Sequence, residues 1–206
     1  MFLSIGIVIA VLLICLFGLL LKQSKKPTGV LGILMMRLWN AVYLPLVKWT
    51  MNRVELADHS IILDIGVGNG RSSEYLVNQK KALTVTGIDL SEAAISQAIK
   101  KYSSEAIHFK TMDVHKLAFS SETFDLVTAF QTHFHWDDLD QALHEIHRVL
   151  KVDGMIVFAC ETAKISYFLP ELKKVVDFQA YMSKLGFSFV NHDTTDQWTM
   201  FSFKKK

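Results

Sequence analysis

The sequence predicts an α/β protein whose doubly wound, mostly parallel sheet has helices on both faces and follows an N-terminal transmembrane helix. Three observations predict this arrangement. Residues 2–21 contain no charged side chain. From residue 61 onward, short apolar runs alternate with segments of helical periodicity, which is typical of parallel strands joined by crossover helices. The last two apolar runs lie too close together for a crossover, so they indicate a C-terminal antiparallel hairpin.

Length and composition limit the number of domains and the kinds of partner. The 206 residues, half of them apolar, are enough for one α/β domain with an appendage. We therefore divide the chain into a transmembrane anchor (1–22), a basic and apolar linker or cap (23–59) and an α/β domain (60–206). A net charge of +2 does not indicate nucleic-acid binding. The two cysteines, Cys15 and Cys160, suggest neither a disulfide framework nor a zinc motif.

Residues 2–21 have the length and composition of a membrane-spanning helix. At about 1.5 Å per residue they would extend roughly 30 Å, the thickness of the hydrocarbon core of a bilayer. A cleaved signal peptide is disfavoured, because no Lys or Arg precedes Phe2 and no small-residue cleavage site follows the run. Basic residues follow from Lys22 onward, and the first acid is Glu55. We therefore predict a single-pass membrane protein whose main domain faces the cytoplasm.

The linker reads as a hinge followed by an apolar helical segment. Pro27 marks the hinge, and Pro45 interrupts the segment, so we expect two short helices that meet near Pro45. This stretch is basic and rich in Trp and Met. It fits an interfacial segment with Trp39, Tyr43 and Trp49 at the lipid headgroups, and it equally fits a cap packed on the following domain. The sequence leaves both interpretations open.

Seven strands and four main helices are predicted from residue 60 onward. The strands are expected at Ile61–Ile65, Leu83–Ile88, Ala106–Thr111, Phe124–Phe130, Met155–Cys160, Phe187–Asn191 and Trp198–Phe203. The helices are expected at Gly70–Gln79, from Ser91 onward, at Asp138–Leu150 and at Glu171–Leu185, with Gly186 as a C-terminal cap. The fourth strand has little polar alternation, so it should be central and buried on both faces.

The loop after the first strand carries three glycines at alternate positions, Gly66, Gly68 and Gly70, and Asp64 lies two residues before the first. In an open parallel sheet, ligands bind at the carboxyl ends of the strands, where this loop lies. Glycine permits positive φ and lets a ligand approach the main chain. A dinucleotide loop has a wider glycine spacing, and a carboxylate beside a diphosphate would be repulsive. The loop therefore indicates a ligand with a cation near Asp64.

Further motifs follow in a fixed order. They are Gly87-Ile88-Asp89-Leu90-Ser91, Met112-Asp113-Val114, Phe124-Asp125-Leu126-Val127 and His147-Arg148-Val149-Leu150-Lys151. Together with the glycine loop, this set resembles the class I S-adenosylmethionine-dependent methyltransferases, in style the small-molecule and quinone-type members, over roughly residues 61–203. The resemblance implies a Rossmann-like, seven-stranded sheet and S-adenosylmethionine as cofactor. The chain departs from the family at Val152-Asp153-Gly154, where Pro-Gly-Gly is usual.

The resemblance also assigns cofactor-binding roles. Asp89 would accept both ribose hydroxyls, since a carboxylate offers two acceptor oxygens. Asp113 would accept from the adenine amino group, the main-chain N–H of Val114 or Met112 would serve a ring nitrogen, and Leu90 would lie against the adenine face. The predicted cofactor-binding residues are Asp64, Gly66, Gly68, Gly70, Asp89, Leu90, Asp113 and Val114.

The methyl acceptor is expected beside the loop that follows the fourth strand. There His133 or His135 could act as a general base near neutral pH; alternatively, both histidines shape the pocket without transferring a proton. Trp136 could pack on cofactor or substrate. The predicted substrate residues are Gln131, Trp136, Glu161 and Tyr167. No set of His, Cys and acidic residues is convincing as a metal site, so no metal is predicted.

These features predict a membrane-anchored methyltransferase that acts on a small or amphiphilic acceptor, such as a lipid or a quinone-like compound. The alternative is a non-catalytic, membrane-tethered module that binds the cofactor or a protein partner. A nicotinamide oxidoreductase is disfavoured by Asp64 and by the glycine spacing. A nucleic-acid methyltransferase is disfavoured because the chain has neither an Asn/Asp-Pro-Pro-aromatic motif nor a basic surface beyond the linker.

Overall fold

The computed structural model describes residues 42–58 and 60–206, together with Val11 and Gly18. The predicted transmembrane anchor, apart from these two residues, and the linker up to residue 41 lie outside the described residues. Over the ranges that are described, no helix combines the length and the apolar character needed to cross a membrane.

A single sheet of seven strands organises the described part of the chain. The strands are β1 (Ile61–Ile65), β2 (Thr84–Asp89), β3 (Ile107–Thr111), β4 (Phe124–Phe130), β5 (Leu150–Glu161), β6 (Phe187–Thr194) and β7 (Trp198–Lys205). They lie in the order β3-β2-β1-β4-β5-β7-β6. β7 is antiparallel to both of its neighbours, whereas β1 to β5 pair in parallel. The predicted mostly parallel sheet with a C-terminal hairpin is confirmed.

Six helices accompany the sheet within residues 42–58 and 60–206. They are α1 (42–51), α2 (Arg71–Val77), α3 (Glu92–Tyr102), α4 (Leu139–Val149), α5 (Thr162–Phe168) and α6 (Val175–Lys184), with 3-10 turns at His133–His135 and Pro170–Leu172. The side chain of Ser91 accepts the Ala94 N–H at the start of α3, and Asp138 accepts the Gln141 N–H at the start of α4. The two predicted helix starts therefore rest on N-capping side chains.

The sheet separates two apolar layers. Successive side chains of a strand point to opposite faces, so Leu63 faces one layer and Ile62 the other. The first layer contains Ile146 of α4 and Phe178 of α6, and the second contains Leu76 of α2 together with α1. β4 lies between β1 and β5 and is buried on both faces, as its sequence predicted.

Helix α1 packs on the sheet as a cap. Leu46, Val47 and Met51 are almost fully buried in the layer that includes Ile62. The expected helix break at Pro45 is not found, because the described helix continues through that residue. Burial of the apolar side chains that follow Pro45 offsets the hydrogen bond that proline cannot donate.

Aromatic and ionic contacts fasten the end of this cap to the C-terminal hairpin. The ring of Trp49 lies 5.8 Å from that of Trp198, the first residue of β7. Arg53 lies over the Trp49 ring at 4.5 Å and forms an ion pair with Asp193 of β6. The described part of the linker thus contacts the domain in two places, through the apolar side chains of α1 and through Trp49 and Arg53.

The C-terminal half departs from the prediction at several boundaries. β5 begins at Leu150 and passes through the expected turn, because Asp153 takes a left-handed conformation (φ 62°) and the β4–β5 pairing is irregular at its start. Residues Thr162–Phe168 form helix α5, where the sequence predicts a loop. The last long helix begins at Val175 instead of Glu171, since Pro170–Leu172 forms a separate 3-10 turn. β6 continues to Thr194, so the final turn is shorter than predicted.

Candidate functional site

A cavity of about 390 Å³ opens at the carboxyl ends of β1 to β4. β1 has β2 on one side and β4 on the other, so the strand order reverses at β1. In sheets of this kind, a crevice opens where the order reverses. Most of the wall is formed by residues 65–69, 88–90, 112–115, 130–132 and 135–138. Tyr43, Leu44 and Val47 of α1, with Arg71 and Ser72 at the start of α2, complete it. The size is that of a small-molecule site.

The three glycines of the first loop all have positive φ, with values of 73°, 54° and 86° at Gly66, Gly68 and Gly70. They differ in what surrounds them. A Cβ on Gly66 would lie 2.2 Å from Cγ2 of Thr132, and one on Gly70 would lie 2.7 Å from the Phe109 ring. Both positions therefore require glycine for packing. A Cβ on Gly68 would meet no protein atom within 4 Å. Because Gly68 lines the cavity, its bare main chain is open to a ligand.

Asp89 ends β2 beside Gly68 and lines the cavity. Its Oδ2 accepts the Gly68 N–H at 2.9 Å, and its Oδ1 accepts the Ser91 N–H at 2.8 Å. These bonds fix the orientation of the carboxylate, and a carboxylate oxygen can accept more than one hydrogen bond. The position suits a ligand that offers two neighbouring hydroxyls.

Asp64 lies beneath the glycine loop and does not line the cavity. Its carboxylate accepts hydrogen bonds from the hydroxyls of Ser72 (2.6 Å), Ser73 (2.8 Å) and Thr128 (2.9 Å). Burial raises the pKa of Asp64 to about 6, although the three hydroxyls act in the opposite direction. Asp64 is predicted to attract a ligand cation, directly or through water, and its carboxylate is not part of the cavity wall. The carboxylate instead ties the start of α2 to β1 and β4.

Replacing Asp64 with Asn should change how stability varies with pH. The folded chain holds the Asp64 proton more tightly than the unfolded chain, since the pKa rises from 3.8 to about 6. The associated stability is complete below about pH 4 and is lost as the pH rises through about 6. Two pKa units correspond to about 3 kcal/mol. In urea titrations, the free energy of unfolding of the variant relative to the parent should rise by up to about 3 kcal/mol between these limits. Parallel profiles would contradict this.

The segment after β3 forms one end of the cavity. Leu90, Asp113 and Val114, which are predicted to contact the cofactor, all line it. Leu90 is 45% exposed and offers an apolar surface, whereas Val114 is buried. The Asp113 carboxylate accepts both the main-chain N–H and the imidazole of His115, at 2.9 and 2.6 Å. Partial burial raises the pKa of Asp113, but the bonds from His115 outweigh it and the net change is downward.

Gln131 follows β4 in a strained conformation at the cavity wall. Its φ is 62°, which is uncommon for a residue other than glycine, and its main-chain N–H donates to the Ala159 carbonyl at 2.8 Å. The side-chain oxygen accepts the Glu161 N–H at 3.4 Å, while the buried Nε2 has no hydrogen-bond partner among the described residues. Strain of this kind collects at functional sites. The predicted substrate residue Gln131 is thus found at the cavity.

The two candidate bases lie in different environments, one buried in the core and the other at the cavity. His133 and His135 belong to one 3-10 turn, and only His135 lines the cavity. His133 is 1% exposed and packs against Phe158, with ring centroids 5.0 Å apart. Burial lowers the pKa of His133 to about 3, with His135 adding to the effect. His133 does not line the cavity, and its low pKa and burial favour the alternative in which it shapes the pocket without transferring a proton. Trp136 lines the cavity.

Two predicted substrate residues do not reach the cavity. Tyr167 lies on α5 and is 73% exposed, because the helix that the sequence did not reveal turns this side chain outward. Glu161 ends β5 and does not line the cavity. It lies near Tyr43, which does: burial, and then the Glu161 charge, raises the pKa of Tyr43 to about 12. Within the described ranges, no group of three or more metal-ligating side chains is arranged around a metal position.

Several cavity residues were not predicted from the sequence. Tyr43, Leu44 and Val47 come from α1, which the sequence left as a cap or an interfacial segment. His115 follows Asp113 by two residues, and this proximity was the one available signal. Thr132 was visible in the acceptor loop, but its contact with Gly66 joins residues that are distant in sequence.

Comparisons with known proteins agree with this geometry. Residues 63–158 match the family described as "Methyltransferase domain". The ubiquinone biosynthesis O-methyltransferase of Pseudomonas syringae pv. tomato is 32% identical over 116 residues, which are 55% of this chain and 49% of that protein. The chain spans about half the length of the curated relatives it matches, for example 59% and 39% of two others.

Solved structures share the fold. One is the complex between the Haloferax volcanii Trm112 methyltransferase activator and the putative methyltransferase, with a TM-score of 0.73, 16% identity, and coverage of 82% of this chain and 93% of that one. Another is the geranyl diphosphate C-methyltransferase of Streptomyces coelicolor A3(2) in complex with Mg²⁺, geranyl diphosphate and S-adenosylhomocysteine. It has a TM-score of 0.65, 12% identity, and coverage of 78% and 76%. At these identities, the likeness establishes the fold.

Proposed function

The chain carries a domain of the class I S-adenosylmethionine-dependent methyltransferase family, and on that premise we propose that it transfers a methyl group from S-adenosylmethionine to a small or amphiphilic acceptor. One observation carries the proposal. A single cavity joins the bare main chain at Gly68 and the oriented carboxylate of Asp89 to an apolar wall that includes Tyr43 and Trp136. A nucleoside site and an acceptor site are thus continuous.

The residues present fit the cofactor. The open Gly68 main chain accommodates the amino-acid portion, Asp89 holds the two ribose hydroxyls, and Leu90 with Val114 borders the adenine. Asp64 contributes by holding the loop, since three hydroxyls already occupy its oxygens. When bound, S-adenosylmethionine supplies an electrophilic methyl group on a sulfonium. The tight Gly66–Gly70 spacing leaves the loop suited to this ligand rather than to a diphosphate.

The chain contributes alignment and exclusion of water. Phe130, Trp136 and Val47 give the acceptor side an apolar wall, which favours a near in-line approach of a desolvated nucleophile. A base is needed only where the acceptor carries a proton to lose. His135 lines this side, and its imidazole takes that proton in our proposal.

Two features support an amphiphilic acceptor and a membrane location. Tyr43, Leu44 and Val47 of α1 contribute apolar surface to the cavity wall. Residues 2–21 carry no charge, and basic residues follow them, so a single span with the domain on the cytoplasmic side is our proposal for the anchor. A relative that acts in ubiquinone biosynthesis supports a quinone-like or lipid-like acceptor over a polar one.

Incubation of the full-length protein, in detergent, with methyl-labelled cofactor and a membrane lipid extract tests the activity. Label in the organic phase, with stoichiometric S-adenosylhomocysteine, is the expected result. Label confined to water-soluble compounds would exclude the lipid-like acceptor. Binding of S-adenosylhomocysteine without turnover on either acceptor pool would favour the non-catalytic module instead. Retention of the protein in carbonate-washed membranes, with the C terminus accessible from the cytoplasmic side, tests the anchor.

Substitution of the two histidines should affect turnover very differently. His135→Gln should lower kcat by roughly 100-fold for an acceptor that loses a proton, because the lost group lies at the cavity. His133→Phe should leave kcat within about threefold, since that ring packs among aromatic side chains outside the cavity. Steady-state rates across pH, with thermal unfolding of both variants as a control, check this. Equal losses at the two positions would remove His135 from the proposed role.

A further inference from the structure

One polar face of α4 is bonded along its length to the segment that follows β3. Gln141, Glu145 and Arg148 are spaced by three or four positions, so they project to the same side of α4, and the N-cap residue Asp138 precedes them. The Asp138 N–H donates to Nε2 of His115 (3.3 Å), Nε2 of Gln141 donates to the His115 carbonyl (3.2 Å), Oε2 of Glu145 accepts the Leu117 N–H (2.8 Å), and Arg148 donates to the carbonyls of Leu117 and Phe119 (2.7 Å each).

The lower part of this face is held by an ion pair. Arg148 contacts both oxygens of Glu145 at 2.8 Å, and the hydrogen bond from Arg148 is the main reason that the pKa of Glu145 is lowered. Each partner therefore keeps its charge while it bonds the main chain of Leu117. The segment 115–119 is thereby fixed in register against α4, and a movement of one displaces the other.

His115 is the member of this network that also lines the cavity. The main-chain N–H of Asp138 can only donate, so Nε2 of His115 accepts it and the proton lies on Nδ1. Nδ1 then donates to Oδ1 of Asp113 at 2.6 Å. The imidazole thus connects the Asp113 carboxylate, at the end of the cavity, to Asp138, the N-cap residue of α4. Directly before that residue lies the loop 131–137, which carries Gln131 and His135.

We propose that His115 is a positioning residue, which couples the adenine end of the cofactor site to the loop 131–138 on the acceptor side. The inference rests on the proposed function, because it places the adenine beside Asp113. A ligand that engages Asp113 restricts the imidazole, and the imidazole holds the Asp138 N–H and with it the end of the loop. Cofactor binding therefore orders the acceptor side before the acceptor arrives.

Two substitutions separate the two bonds of the imidazole. His115→Asn keeps a donor near the position of Nδ1 and removes the acceptor for Asp138, whereas His115→Ala removes both. His108→Asn is the matched control, since His108 is an exposed residue of β3 that does not line the cavity. The probe is S-adenosylhomocysteine, titrated calorimetrically into the full-length protein in detergent. Amide hydrogen exchange over residues 131–138 is followed with and without it.

In the parent, the probe should slow exchange in the loop. His115→Ala should weaken probe binding by about tenfold and abolish this protection. The reason is that Asp113 loses the charge-assisted hydrogen bond from His115 that orients its carboxylate. His115→Asn should bind the probe within about threefold of the parent and still lose the protection, with KM for the cofactor retained and kcat reduced. A protein that was merely destabilised would show faster exchange throughout, which thermal unfolding and the His108→Asn control detect.

Protection of the loop by the probe in His115→Asn, equal to that in the parent, would overturn the inference. So would affinity of His115→Ala within twofold of the parent. Failure of the parent itself to bind S-adenosylhomocysteine is a different result, since it would refute the proposed function on which the inference rests.

Discussion

Asp89→Ala should weaken binding of S-adenosylhomocysteine by about 100-fold while leaving the fold intact. The carboxylate lies at the cavity wall, and in our proposal two charge-assisted hydrogen bonds to neighbouring hydroxyls contribute about 3 kcal/mol together. The substitution also removes the acceptor that orients the Gly68 N–H at 2.9 Å. The open main chain of Gly68 and the hydroxyl-binding group are therefore lost together. Calorimetric titration of the full-length protein measures the change.

Glu92→Ala is the matched control for this prediction. Glu92 begins α3, three residues after Asp89, is exposed, and does not line the cavity. It changes the net charge by the same amount in the same part of the chain. Its affinity for the nucleoside should remain within about twofold of the parent, because its side chain is exposed and does not line the cavity. Similar affinities for Asp89→Ala and the parent would remove the proposed nucleoside site.

The core of the fold was predictable because its signals are local. The strand Phe124–Phe130 is mostly apolar, with Asp125 and Thr128 as its polar residues, and its observed bounds are the predicted ones. Ser91 and Asp138 mark helix starts by bonding main-chain groups three residues away, which sequence spacing reveals directly. Helix α5 was missed since its seven residues have neither a side-chain N-cap nor a regular apolar face.

The site was predictable where the main chain determines it and less so where side chains meet over long distances. The positive φ values are those of Gly66, Gly68 and Gly70, and the alternate spacing of these glycines predicts them. The position of Asp64 depends on Thr128, which is 64 residues away in the chain and donates to its carboxylate. Sequence showed an acid next to the loop, but it did not show that the acid was already satisfied by hydroxyls.

The acceptor side was the least predictable region. His133 and His135 are two residues apart, and sequence offered no reason to choose between them. The 3-10 turn places one in the core and the other at the cavity. Tyr43 reaches the cavity because the apolar face of α1 packs on the sheet. Such choices depend on how the surrounding layers pack, which spacing does not encode.

Gly66→Ala should be the most destabilising single change in the glycine loop. Its φ is 73°, a conformation that costs alanine about 1 kcal/mol or more, and the new Cβ would lie 2.2 Å from Cγ2 of Thr132. Overpacking of this kind adds about 1–3 kcal/mol. A total loss of about 3 kcal/mol should lower the thermal midpoint of a domain of this size by roughly 10 °C.

Two further variants test that the clash with Thr132 is the cause. Gly68→Ala has a comparable left-handed φ of 54°, but its Cβ meets no protein atom, so it should cost only about 1 kcal/mol of stability. It should nevertheless weaken nucleoside binding, because its methyl group enters the cavity. Thr132→Gly removes the clashing atoms, so Gly66→Ala should cost about 1–2 kcal/mol less in that background. Additive costs in the double variant would show that backbone strain alone sets the effect, and the close packing of the first loop against the acceptor loop would then have no energetic consequence.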